Sequence, residues 1–221
     1  MVIVGIKNPL VSGGSGTFTI ETQDASGAKI DVDAGVGQVT IIPGVIADDD
    51  TTTITFQSDS SKAGDTNNLR FSFTTMNPIP TNGKIELVFP PGFDLTYAYF
   101  SKIDSIVGVT HTDTDFTSVP SSQTMIITYS GGSDIAPADF DDIRIYNVTS
   151  PTESNPDAGD FVIRTFTSGG DKIDEGTKTG AAASVIKPGD FISSTIVFSN
   201  LQESTTASAI LTLTISNAIP P

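Results

Sequence analysis

The sequence predicts an all-β protein built from immunoglobulin-like antiparallel β-sandwich repeats. Three observations carry this. Apolar and polar residues alternate strictly in several short segments, as strands with one covered and one wet face require. Clusters of Gly, Pro and Asn separate those segments. No stretch combines a helical period with capping residues.

Taken in chain order, "TFTIET" sets Phe18 and Ile20 on one face. In "LRFSFTT", Leu69, Phe71 and Phe73 point one way and Arg70, Ser72 and Thr74 the other. "KIELVF" sends Ile85, Leu87 and Phe89 inward, and "AILTLTI" does the same with Leu211, Leu213 and Ile215. Turn chemistry lies between, in "TNGK" (Thr81–Lys84), "PPGF" (Pro90–Phe93), "SGG" (Ser130–Gly132) and "SGGD" (Ser168–Asp171). Strands this short and this regularly spaced suit a two-sheet sandwich, without the Cys–Trp–Cys signature of antibody domains.

The chain also matches itself. Pro9 corresponds to Pro151, Phe18 to Phe161, Ile20 to Ile163 and Ile30-Asp31 to Ile173-Asp174, at an offset of 142 or 143. Further on, Phe56 corresponds to Phe198, Phe71 and Phe73 to Leu211 and Leu213, and Asn77–Pro80 to Asn217–Pro220, with offsets falling from 142 to 140. "IIPGVI" (Ile41–Ile46) echoes "VIKPGDFI" (Val185–Ile192) between these blocks. Two blocks that share a period and keep their order predict a unit of about 140 residues. The expected division is 1–47 as the back of one repeat, 48–189 as a whole repeat and 190–221 as the first strands of another.

Bulk chemistry narrows the function. The 221 residues are enough for a real core, and mean hydropathy near zero (+0.04) fits a folded chain. Acids outnumber bases 26 to 11, a net charge of −15, which opposes nucleic-acid binding because phosphates need clustered Lys and Arg. Ser and Thr make up 54 residues, and β-branched Thr suits the wet face of a sheet. With no cysteine, disulfides and thiolate metal sites are excluded. No apolar run reaches the roughly 18 residues that span a membrane, and residues 1–6 lack the features of a signal peptide.

Pieces of 47 and 32 residues lie near or below the roughly 40-residue floor for independent folding. They would expose strand edges and apolar faces, which template further pairing. Completion by flanking repeats of a tandem array is the favoured expectation; strand exchange between neighbouring chains is the other. Both lead to self-association into an extracellular fibre or cell-surface stalk.

The phrases "IPTNGKIELVFPPGF", "GIKNP…SGTFTIETQDASG…ID" and "GDFVIRTFTSGGDKIDEG" resemble the tandem Ig-like repeats of long microbial extracellular filament and surface adhesin proteins. That resemblance spans nearly the whole chain and implies adhesion, surface layers or fibres, with no enzymatic activity. A shorter stretch, "SSKAGDTNNLRFSF", resembles the opening of cohesin-like docking domains. It implies a protein-binding docking module, which stands as an alternative beside a carbohydrate-binding one.

Candidate sites are few. The single histidine, His111 in "VTHTDTDF", has acidic neighbours Asp113 and Asp115 but no second His and no nucleophile elbow, and reads as an exposed loop residue. No phosphate loop, dinucleotide fingerprint or HExxH occurs, so no catalytic residue and no organic cofactor is expected. Calcium takes six to eight oxygens, and Asp48, Asp49 and Asp50 stand where one repeat hands over to the next. The matching "GDFISS" after Pro188 holds one acid, which favours solvated acidic loops, as do the other clusters at Asp31/Asp33 and Asp139/Asp141/Asp142. Asn147 opens the sequon "NVT", a glycosylation candidate. Tyr97, Tyr99 and Phe100 in "LTYAYF" are read as a strand with a partly buried face rather than a sugar platform.

Overall fold

The computed structural model describes residues 7–46, 54–155, 157–181, 184–189, 191–199 and 208–215. The described residues contain strands, a 3-10 turn at Asp113–Asp115 and no α-helix. The strands run β1 (Gly13–Gly14), β2 (Phe18–Gln23), β3 (Lys29–Val36), β4 (Thr40–Ile41), β5 (Gly44–Val45), β6 (Thr55–Ser58), β7 (Thr66–Thr74) and β8 (Lys84–Val88). They continue with β9 (Tyr99–Ile106), β10 (Phe116–Ser121), β11 (Thr124–Tyr129), β12 (Asp139–Thr149), β13 (Phe161–Phe166), β14 (Lys172–Lys178), β15 (Phe191–Phe198) and β16 (Ala209–Ile215).

Two sheets form a sandwich. One has the order β10-β11-β8-β13-β14-β5 and the other β6-β7-β12-β9. Pairing is antiparallel throughout, except that β5 joins β14 in parallel. The alternation expected from sequence is realised where both sheets are present. Leu69, Phe71 and Phe73 of β7, Ile85 and Leu87 of β8, and Phe161 and Ile163 of β13 are all buried. Across the layers Phe56 stacks on Phe161 at 4.3 Å between ring centroids, and Phe71, Phe73 and Phe140 extend the row. Such ring pairs contribute beyond their buried area. Gly44–Val45 add the edge strand and Ile46 enters the core, so the sandwich reaches back past the expected start at Asp48.

Outside the sandwich, the β2–β3 hairpin is built like the β13–β14 hairpin. Thr22 faces Asp31 as Thr165 faces Asp174, 143 positions on in each case, and both ladders shift register at the next residue. In each, the Thr hydroxyl receives the Asp amide at 3.1 Å and donates to the Asp carboxylate. The turns agree too: Asp24 N donates to Ala28 O and Thr167 N to Asp171 O, both at 2.9 Å. Gly27 (φ +85°) and Gly170 (φ +92°) take the left-handed position that such a turn leaves to glycine. The ladders diverge only at the far end, where Phe18 faces Val36 after an added register shift.

Strand β15 pairs with β16 as β6 pairs with β7. Ile196 lies opposite Leu211 where Phe56 lies opposite Phe71. The uniform offset of 140 gives Ile196 the place of Phe56 and puts Phe198, the partner expected from sequence, two residues further along the same face. One expectation is corrected in both hairpins. Phe18, Ile20, Leu211, Leu213 and Ile215 do alternate, yet all are exposed, Ile20 by 59% and Leu211 by 61%. The period is present, but no second sheet covers these faces among the described residues.

Candidate functional site

The most constructed polar feature lies where β5 meets β14. Asp174 is fully buried. Its carboxylate accepts the Asn77 amide at 3.2 Å and Asn77 Nδ2 at 2.7 Å, with the Thr165 hydroxyl at 3.4 Å. Burial pushes its pKa up, and the bonds from Asn77 and Thr165 oppose the shift. The Gly44 backbone passes directly over this group: a Cβ there would sit 2.0 Å from Asp174 Oδ1 and 2.4 Å from Asn77 Nδ2. Glycine is therefore required, and the cluster pins the incoming strand to its edge. Sequence matching marked Asn77, Asp174 and the Pro-Gly before β5 as repeat positions. It did not reveal that they converge.

Around β2–β3 the same carboxylate position is open. Asp31 keeps the Thr22 bonds but is exposed, and the face carrying Phe18, Ile20 and Ile30 is exposed with it. The faces of β2–β3 and β15–β16 both carry exposed large apolar side chains, among them Phe18, Ile20, Ile196 and Leu211. Apolar patches of this kind mark interaction surfaces.

The remaining candidates stay apart from one another. His111 is half-buried rather than exposed: its ring packs edge-on against Phe116 at 5.9 Å, Nε2 lies 3.3 Å from Ile103 O, and buried Nδ1 has no partner. Asp113 and Asp115 do not turn toward it. Asp113 accepts the Ile103 amide at 3.3 Å, and Asp115 caps the 3-10 turn through the Thr112 amide at 2.7 Å. Asp48, Asp49 and Asp50 lie outside the described residues. Among the described residues no group of three or more acids and histidines gathers in metal-binding geometry. Asp33 bonds the Gly35 amide, Asp141 accepts from Ser72, and Asp142 pairs with Arg144. A surface hollow of about 440 Å³, lined by residues that include Phe93, Thr96, Pro120 and Gln123, holds one titratable group, Asp94. Thr96 bonds hold that carboxyl below its usual pKa.

Two surface features stand out on the four-stranded sheet. Asn147 is exposed at φ +60°, inside the register shift between Ile145 and Val148, so it stands clear of the ladder. Tyr97 is 80% exposed in the turn before β9 rather than part-buried, and Tyr99 meets Tyr146 edge-to-face at 5.8 Å. Phe100 turns the other way, toward Phe116 at 5.8 Å.

Fold and surfaces together define an all-β, two-sheet sandwich protein. No protein-family model and no curated protein matches the chain. Solved structures with a similar fold include a non-cellulosomal cohesin from the hyperthermophilic archaeon Archaeoglobus fulgidus, at 12% identity over 57% of this chain and 88% of that one, TM-score 0.32. The third cohesin ScaC of Acetivibrio cellulolyticus, solved in complex with the ScaB dockerin, shares 18% over 58% and 98%, TM-score 0.33. A cohesin module of a Clostridium perfringens family 33 glycoside hydrolase shares 15% over 62% and 97%, TM-score 0.34. The likeness is one of all-β sandwich architecture. Among the described residues no helix is long and apolar enough to cross a membrane.

Proposed function

We propose that this chain is a stretch of tandem Ig-like sandwiches that serves as a structural part of an extracellular filament or cell-surface stalk. One observation carries the reading: the β2–β3 hairpin has the ladder, register shift, turn and Thr–Asp bonding of β13–β14, with the face that β13–β14 buries left exposed. In this reading 1–47, 48–189 and 190–221 belong to three successive repeats, and each repeat covers its own hairpins. The role is mechanical, with no reaction step, and the acid excess keeps a long array soluble. Asn147 carries a glycan, and Asp48–Asp50 bind calcium only if the repeat junction gathers further oxygens around them. Immunogold labelling of intact source cells, with antibody against the 44–186 sandwich, tests the location. Label along surface fibres supports the reading; label confined to the cell interior contradicts it.

A second reading is a protein-binding, cohesin-like module or a carbohydrate-binding one. The observation in its favour is exposed Tyr97 in the turn before β9, with exposed Tyr99 on the four-stranded sheet edge-to-face with half-buried Tyr146. If that group is a contact surface, Tyr97→Ala and Tyr99→Ala abolish capture of a partner while leaving the melting temperature unchanged.

A further inference from the structure

We infer that two copies of this chain join head to tail, the β2–β3 hairpin of one receiving Gly189, β15 and β16 of the other. The inference rests on the repeat reading proposed above. Its starting point is the interface that the sandwich forms between its own parts.

Two things cover β13–β14. Its edge takes Gly44–Val45 in parallel at Asp174–Glu175, and the Ile46 amide donates to Glu175 O at 2.9 Å. Its apolar face meets β6–β7, Phe161 lying against Phe56. The chain carries a second set of each part, and both stand open. The acceptor is Asp31–Val32 on the β3 edge, with Phe18 and Ile20 below it, 49% and 59% exposed. The donor is Gly189, which follows Pro188 as Gly44 follows Pro43, and then β15–β16 with Ile196 and Leu211 exposed by 57% and 61%. Asp31, the counterpart of Asp174, is on the acceptor side.

The two surfaces correspond to parts that meet within one fold, β13–β14 on one side and β5–β7 on the other, without counterparts of β8–β12, so each fits the other and neither fits itself. That makes the contact heterologous and open-ended, a strand addition supported by an apolar face. Glycine at 189 meets the requirement set by Gly44, where a side chain would strike the carboxylate. Each copy carries a charge of −15, so added salt screens the repulsion between copies and strengthens the contact.

Sedimentation velocity of the full chain, from about 1 to about 100 μM, reads this directly. Oligomers that lengthen with concentration and with salt are expected. Ile20→Asp removes the acceptor, Gly189→Val the donor, and each weakens association by at least about tenfold. Both positions lie outside the 44–186 sandwich, whose unchanged melting shows that the variants fold. Mixing the two variants leaves one working acceptor and one working donor, so the mixture forms dimers and nothing longer. A monomer at every concentration, or association indifferent to both variants, overturns the inference. A monomeric chain leaves the array reading standing, because flanking repeats then cover the hairpins.

Discussion

At the residue scale the Asp174 cluster shows how one buried carboxylate fixes a strand. Gly44→Ala forces a methyl into the space of Asp174 Oδ1 and is expected to destabilise the sandwich by about 1–3 kcal/mol, as overpacking does. Urea unfolding followed by far-UV circular dichroism measures this, and an unchanged midpoint would contradict the assigned contact. Charge gives a pH prediction on the opposite sheet. Lys102, followed by Asp142, draws the Asp104 carboxyl from 3.8 down to about 2. Because its folded pKa is depressed, its contribution is present above pH 3.8 and lost as pH falls toward about 2. Asp174 runs the other way: its pKa is raised, so its ionisation opposes folding as pH rises through that value. Asp104→Asn therefore flattens the loss of stability below pH 3.8, and Asp174→Asn does not. Sequence could not show that Asp174 is buried. In β14 both Ile173 and Asp174 face the interior, because the register shift beside Thr165 breaks the alternation that would have put Asp174 in water.

At the element scale, what was legible was period and turn. The strands at Leu69–Phe73 and Ile85–Phe89 follow from alternation, and the turns follow from their Gly, Asn and Pro. Coverage was not legible, since alternation states which side chains share a face and is silent on whether another sheet lies over it. Ile20 and Ile163 make the contrast measurable at matching positions. Ile163→Ala should cost about 2–5 kcal/mol, while Ile20→Ala should stay within about 0.5 kcal/mol in the isolated chain. Equal costs would mean that β2–β3 is already covered. The bulge in β12 was equally invisible, although the sequon within it was plain. Asn147 stands out of the ladder there, so intact-mass analysis of native material should show added hexose-containing mass on its peptide. Unmodified peptide from native material would remove that expectation.

At the scale of the whole molecule, the proposed function is that of a fold whose units continue into one another. A single sandwich satisfies its own core, and two hairpins on the same chain repeat its parts without its coverage. The sequence carried the repetition through residues matching at offsets of 140 to 143. It could not say which partner covers the hairpins, since flanking repeat and neighbouring copy would present the same side chains. Electron cryomicroscopy of the native material tests the account most directly. It predicts filaments or stalks in which density for one sandwich recurs for every 140 to 143 residues of chain, with the β2–β3 and β15–β16 faces covered. Discrete particles holding a single sandwich, with both hairpins still bare, would contradict it.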